Sequence, residues 1–67
     1  MLNIRILNLS DNDIENEGAI ALTKLKKLKI LDVSHNYIQD EGTQALNGLE
    51  NLEELHIAGN RIMDKDL

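Results

Sequence analysis

Apolar residues recur along this chain in a short pattern that repeats every 24 residues. "LNLSDNDI" begins at Leu7, "LDVSHNYI" at Leu31 and "LHIAGNRI" at Leu55. In the second copy, Leu31 and Val33 flank polar Asp32, and this alternation of apolar and polar residues predicts a short β-strand. A strand that recurs three times at a fixed interval is the sequence signature of a repeat architecture.

The repeat divides the chain into two full units and a shortened third, residues 4–27, 28–51 and 52–67. The second half of a unit has helical spacing, because Ala45, Leu46 and Leu49 form one apolar face. One column of N-cap residue types marks the predicted helix starts: Asn16, Asp40 and Asp64. Strand, turn and helix in this order predict an α/β solenoid with parallel strands on one face and helices on the other.

A column of asparagines follows the predicted strands: Asn12, Asn36 and Asn60. Apolar residues that must face inward flank each of them, so we expect the amides to be buried. A buried amide is costly unless its hydrogen bonds are made. We therefore predict a structural ladder, in which each Asn bonds backbone groups of its own turn and of the neighbouring turn.

The repeated residues resemble a known family. The spacing LxxLxLxxNxI describes "LKILDVSHNYI" and "LEELHIAGNRI" and, with Ile for the first Leu, "IRILNLSDNDI". This is similar to the leucine-rich repeat signature. The trailing "EGAIAL" and "EGTQAL" look like the 24-residue GALA-type repeats of bacterial effectors, and they are similar to the longer repeats of the ribonuclease-inhibitor class. The resemblance implies a curved solenoid with a concave parallel sheet, convex helices and protein recognition on the concave face.

Composition narrows the classes of function. The formal net charge of −5 argues against nucleic acids and against anionic membrane surfaces as partners. No apolar run approaches the roughly 18 residues that span a bilayer. The opening "MLNIRILNLS" lacks the features of a signal peptide, and both a cytoplasmic and a secreted location stay open.

The side chains that alternate with the inward leucines are the predicted partner-binding residues. They are Ile6, Asn8, Ile30, Asp32, Glu54 and His56, with His35 and Tyr37 in the turn that follows. Ile6 and Ile30 form an apolar patch on neighbouring strands. These residues predict a protein–protein interaction module. The alternative is a structural spacer segment of a larger repeat protein, such as a bacterial effector, without a partner of its own.

Chemistry-bearing residues also occur, but we predict neither catalysis nor a cofactor. Asp32, Ser34 and His35 are close in sequence, yet the serine column continues as Ser10 and Ala58, which indicates a position for small residues. Asp32 and His56 would face each other on neighbouring strands, and we interpret them as a solvent-exposed pair. Two histidines and no cysteine are too few for a zinc site.

The third unit is the least complete. It stops where its helix is predicted to start, and Asp66 occupies the column of Gly18 and Gly42. Stacked repeats need neighbours or caps on both sides. The pattern therefore predicts either a segment of a longer solenoid or a chain that stacks end to end.

Overall fold

The computed structural model describes residues 3–60, which form five elements. They are β1 (Ile6–Asn8), α1 (Glu15–Leu22), β2 (Ile30–Asp32), α2 (Asp40–Asn47) and β3 (Glu54–His56). The strands form one parallel sheet in the order β1-β2-β3, and a helix follows each of the first two strands. This alternation confirms the predicted α/β repeat fold. The predicted third helix, with Asp64 and Asp66, lies outside the described residues.

The register of the sheet equals the period of the sequence. Each strand residue pairs with the residue 24 positions away: Ile6 with Ile30 and Glu54, Leu7 with Leu31 and Leu55, and Asn8 with Asp32 and His56. The backbone continues this pairing beyond the strands, where Leu9 N–H donates to Asp32 O at 2.8 Å and Val33 N–H donates to His56 O at 2.9 Å. Adjacent units are therefore joined by equivalent hydrogen bonds.

The hydrophobic core is centred on the second unit. Its aliphatic side chains are at most 5% exposed: Leu28, Leu31, Val33, Ile38, Leu46 and Leu49. The equivalent residues of the first unit are only partly buried, and so are those described in the third. The middle unit differs because it has a neighbour on each side, whereas each outer unit is covered on one side within the described residues.

The two helices do not begin as the sequence predicted. α1 begins at Glu15, with Ile14 in the capping position, and α2 begins at Asp40, with Gln39 in that position. Neither capping side chain accepts a hydrogen bond from its helix. The prediction that Asn16 and Asp40 are N-caps of their own helices is therefore wrong.

Asn16 instead caps the helix of the following unit. Its Oδ1 accepts the N–H groups of Gln39 and Gly42, each at 2.9 Å, and its Nδ2 lies 3.3 Å from Gln39 Oε1. The Gly42 amide belongs to the first turn of α2, where backbone donors lack partners within the helix. An N-cap interaction is thus supplied across the interface between units.

Removing this cross-unit cap tests its contribution to stability. Asn16→Ala is expected to lower the free energy of unfolding by about 1 kcal/mol, the usual cost of losing an N-cap acceptor. Asn16→Asp keeps an acceptor beside a helix N-terminus and should stay within about 0.5 kcal/mol of the unsubstituted chain. Urea denaturation followed by circular dichroism measures both variants. Equal losses in the two would contradict the capping role.

Candidate functional site

The candidate site is the face of the sheet that points away from the helices. We call it the open face and define it by six residues: Ile6, Asn8, Ile30, Asp32, Glu54 and His56. The opposite face packs into the core through Leu7, Leu31 and Leu55. Ile6 is 69% exposed, and its register partner Ile30 is half-buried. The open face therefore presents two β-branched apolar side chains on adjacent strands.

Two polar residues of the open face also close the turns after their strands. Asn8 Oδ1 accepts the Ser10 N–H at 3.0 Å and the Ser10 hydroxyl at 2.9 Å. Asp32 Oδ1 accepts the Ser34 N–H at 3.0 Å in the same way. Side-chain acceptors that bond the backbone two residues on are typical of Asx turns. The sequence signal, Asn or Asp two residues before Ser, is present in "NLS" and "DVS".

The register places Asp32 beside His56, but the side-chain contacts described for these two residues are with other partners. Asp32 and His56 are register partners, but His56 Nε2 lies 3.3 Å from Glu54 Oε1 on its own strand. Hydrogen bonds from the backbone N–H and then the hydroxyl of Ser34 lower the pKa of Asp32 below its usual value, and the charges of His56 and His35 lower it further. Asp32 is thus held by Ser34 within its own turn and not by His56 across the sheet.

The column of Asp11, His35 and Gly59 is shaped by the backbone. All three residues have positive φ, at 62°, 58° and 72° respectively. Asp, His and Gly are among the residue types that tolerate the left-handed region best. The His35 ring also lies against Gly59, so closely that a Cβ at position 59 would collide with it. The residue types in this column therefore suit the left-handed backbone conformation that the three positions adopt. The sequence analysis did not identify this reason for them.

Tyr37 lies at the edge formed by the turns. It is 54% exposed, has a φ of 59° and lines two open depressions of about 470 Å³ and about 300 Å³. Carboxylates are prominent in both linings, with Glu15, Glu17 and Glu41 in the larger and Asp11 and Asp13 in the smaller. Tyr37 and His35 thus belong to the turn edge and not to the open face.

The asparagine side chains connect the turns of adjacent units. Asn36 is fully buried; its Oδ1 accepts the Asn12 N–H at 2.9 Å, and its Nδ2 donates to Leu9 O at 2.8 Å and to Ser34 O at 3.0 Å. Asn60 repeats the contact one unit on, since its Oδ1 accepts the Asn36 N–H at 2.7 Å. The buried Asn36 amide therefore finds its own hydrogen-bond partners in the backbones of two turns, as a buried polar group requires.

Two further kinds of site are absent from residues 3–60. No group of three or more His, Cys, Asp or Glu side chains in that range is arranged to hold a metal ion. Neither of the two helices described there has the length and apolar character needed to cross a membrane.

Comparison with known proteins places the chain in a family. A family model described as leucine rich repeat matches residues 3–62, which is most of the chain. Neither the curated proteins nor the solved structures compared with it gave a match. Domains of this kind generally mediate protein–protein interactions and are typically non-enzymatic. The family match, the 24-residue units and their parallel register together show that this chain belongs to the leucine-rich repeat family.

Proposed function

We propose that the chain is a protein interaction module that binds a protein partner through the open face. The observation that carries the proposal is the pair Ile6 and Ile30, two apolar side chains in register on a face that no described helix covers. Covering apolar surface is favourable by about 25 cal/mol for each Å² removed from water. A partner therefore gains binding free energy where these two side chains meet it.

The polar residues around the isoleucines give the open face its chemical character. Asp32 and Glu54 are acidic, and the lowered pKa of Asp32 keeps its carboxylate ionised near neutral pH. An apolar centre with a polar rim is the usual anatomy of a protein interface. We therefore propose a partner that offers an apolar side chain flanked by a cationic group.

The overall shape and repeat class belong to the same proposal. We propose that the units stack as a curved solenoid, with the open face on its concave side and GALA-type helices on its convex side. The parallel sheet, whose register steps by one 24-residue unit, supports this arrangement. An effector protein built from such units is the proposed setting.

One substitution on each side of the sheet tests the open face. Ile6→Asp is expected to reduce retention of a partner by at least tenfold, or about 1.4 kcal/mol, because it places a charge in the apolar centre. The matched control is Ile20→Asp, since Ile20 is 41% exposed on α1, on the other side of the sheet. Quantitative mass spectrometry of proteins retained by each immobilised chain makes the comparison.

The alternative function, a structural spacer, predicts a different result from the same measurement. A spacer retains no protein specifically, so the unsubstituted chain and both variants would give the same retained set. Loss of binding in Ile20→Asp but not in Ile6→Asp would move the site to the helical side. Either result would reject the open face as the binding surface.

End-to-end stacking of copies is a second proposed contact. It is favoured by the burial of the units, because the core leucines, Val33 and Ile38 of the second unit are almost fully buried and their equivalents in the outer units are not. A further unit placed against either outer unit would bury those residues in the same way.

A further inference from the structure

We infer that Asn47 is a modification site, at which the side-chain amide is lost spontaneously after attack by the backbone nitrogen of Gly48. Asn47 and Gly48 form the one Asn-Gly pair of the sequence, and every other asparagine precedes a larger residue. Glycine has no Cβ, so its nitrogen meets the least steric resistance when it approaches the preceding side chain. The inference goes beyond the proposed function, because the pair lies at the end of a helix and not on the open face.

The chemistry needs only the chain and water. The Gly48 nitrogen gives up its proton and forms a bond to Asn47 Cγ. The Cγ–Nδ2 bond then breaks, and the departing amide nitrogen takes up a proton and leaves as ammonia. Water opens the resulting cyclic succinimide at either carbonyl carbon, which gives aspartate or isoaspartate. The net change replaces an amide by a carboxyl group without any oxidation or reduction.

Both residues of the pair are accessible to water. Asn47 is the last residue of α2 and Gly48 occupies its C-cap position, and both are exposed. The first unit shows that this column stays exposed when another unit is packed beside it. Lys24, the residue 24 positions before Gly48, is exposed although the second unit lies next to the first. The exposure of the pair is therefore a property of its place at the helix end.

The hydrogen bonds at the end of α2 control access to the reactive nitrogen. Gly48 N–H donates to Ala45 O and Leu49 N–H donates to Leu46 O, each at 3.1 Å and each to the third residue back. Bonds of this 3₁₀ type have poorer geometry than those of an α-helix, and helix ends fray. An intact last turn engages the nitrogen and restrains the Asn47 backbone. The reaction therefore proceeds when that turn opens, which is a local event.

The products change the end of α2 in two ways. Either product puts a negative charge at the helix C-terminus, where the helix dipole disfavours anions. Isoaspartate also lengthens the backbone by one carbon atom between Leu46 and Leu49. These two leucines are 0% and 5% exposed and belong to the hydrophobic core. The modification therefore loosens the attachment of α2 to the core.

Peptide mapping by mass spectrometry tests the site on the full 67-residue chain, incubated at mildly alkaline pH. Asn47 should gain one mass unit faster than Asn51, which is also exposed but precedes Leu52. Enzymatic methylation of isoaspartate should label the peptide that contains Asn47. Gly48→Ala should slow the reaction by at least about tenfold, or about 1.4 kcal/mol in activation free energy. Unfolding the chain in urea should accelerate it, because the last turn is then open.

Three results would overturn the inference, provided that circular dichroism shows the chains to be folded without urea. They are modification of Asn47 no faster than that of Asn51, equal rates in the unsubstituted chain and Gly48→Ala, and a rate that urea leaves unchanged. Gly48→Ala suits this comparison because the φ of Gly48, −80°, is one that alanine adopts without strain.

A direct substitution tests the effect of the product on stability. Asn47→Asp should lower the melting temperature by about 2–5 °C, because it puts a charge at the unfavourable end of the helix dipole. Gln44→Glu is the matched control, since Gln44 is exposed in the same helix and its substitution adds the same charge away from that end. Thermal unfolding by circular dichroism compares the two. Equal melting temperatures for both variants would reject the predicted loosening of α2.

Discussion

Replacing Asn36 with alanine is expected to lower the free energy of unfolding by about 3 kcal/mol, because the N–H groups of Asn12 and Ile14 lose the acceptor that bonds them. The side chain is fully buried and bonds its own turn at Ser34 O and the preceding turn at Asn12 N–H and Leu9 O. A truncated side chain also leaves a cavity that the packed core fills only in part. For a chain of this size, such a loss is a large share of the total stability.

The matched control for this prediction is Asn12→Ala, in the same column one unit earlier. Asn12 is exposed, and its Nδ2 donates only within its own turn, to Leu9 O and Ser10 O. Its loss should cost no more than about 1 kcal/mol, since water replaces the hydrogen bonds. Urea titrations of both variants supply the two free energies. Equal losses would show that the cross-unit contacts of Asn36 contribute little.

Gly42→Ala is expected to destabilise the protein by about 2 kcal/mol, the opposite of what the same change does in an ordinary helix. Gly42 lies in the first turn of α2, against the first unit. A Cβ there would lie 2.7 Å from Asn16 Oδ1, 2.7 Å from Ile38 Cγ2 and 3.1 Å from Ala19 Cβ. The methyl group would push α2 away from α1 and displace Asn16 Oδ1, the acceptor that caps α2.

Gly48→Ala is the matched control at the end of the same helix. Gly48 is exposed and has a φ of −80°, which alanine adopts without strain, and an added Cβ would approach only Ala45 O, at 3.3 Å. Its effect should lie within about 0.5 kcal/mol of zero, because alanine also restricts the unfolded chain. Thermal unfolding by circular dichroism compares the two glycines. Similar melting temperatures for both variants would reject the tight contact at Gly42.

Much of the fold could be predicted from the sequence, because each strand and helix follows from a short residue pattern that recurs in every unit. The alternation around Leu31 marks a strand, the spacing of Ala45, Leu46 and Leu49 marks a helix, and the interval of 24 residues sets which strands lie together. Each of these patterns needs only the periodicity of one element and the requirement that equivalent residues face one core.

The candidate site was predictable only in outline. Alternation along the strands separates the core side chains from exposed ones of the open face, such as Ile6 and Glu54. It did not distinguish a residue available to a partner from one engaged in a turn. Asn8 and Asp32 look equivalent to Ile6 in the pattern, yet both close turns through serine. That difference depends on side-chain geometry two residues away.

The sequence alone determined the family of folds, the positions of the strands and the column that links the turns, because these are properties of one unit repeated. Only the tertiary structure decided which residue caps which helix and which positions require positive φ. Asn16 caps α2 across 26 residues of sequence, and the column of His35 and Gly59 is set by packing between turns. Contacts between units decide these features, and such contacts exist only once the units are stacked.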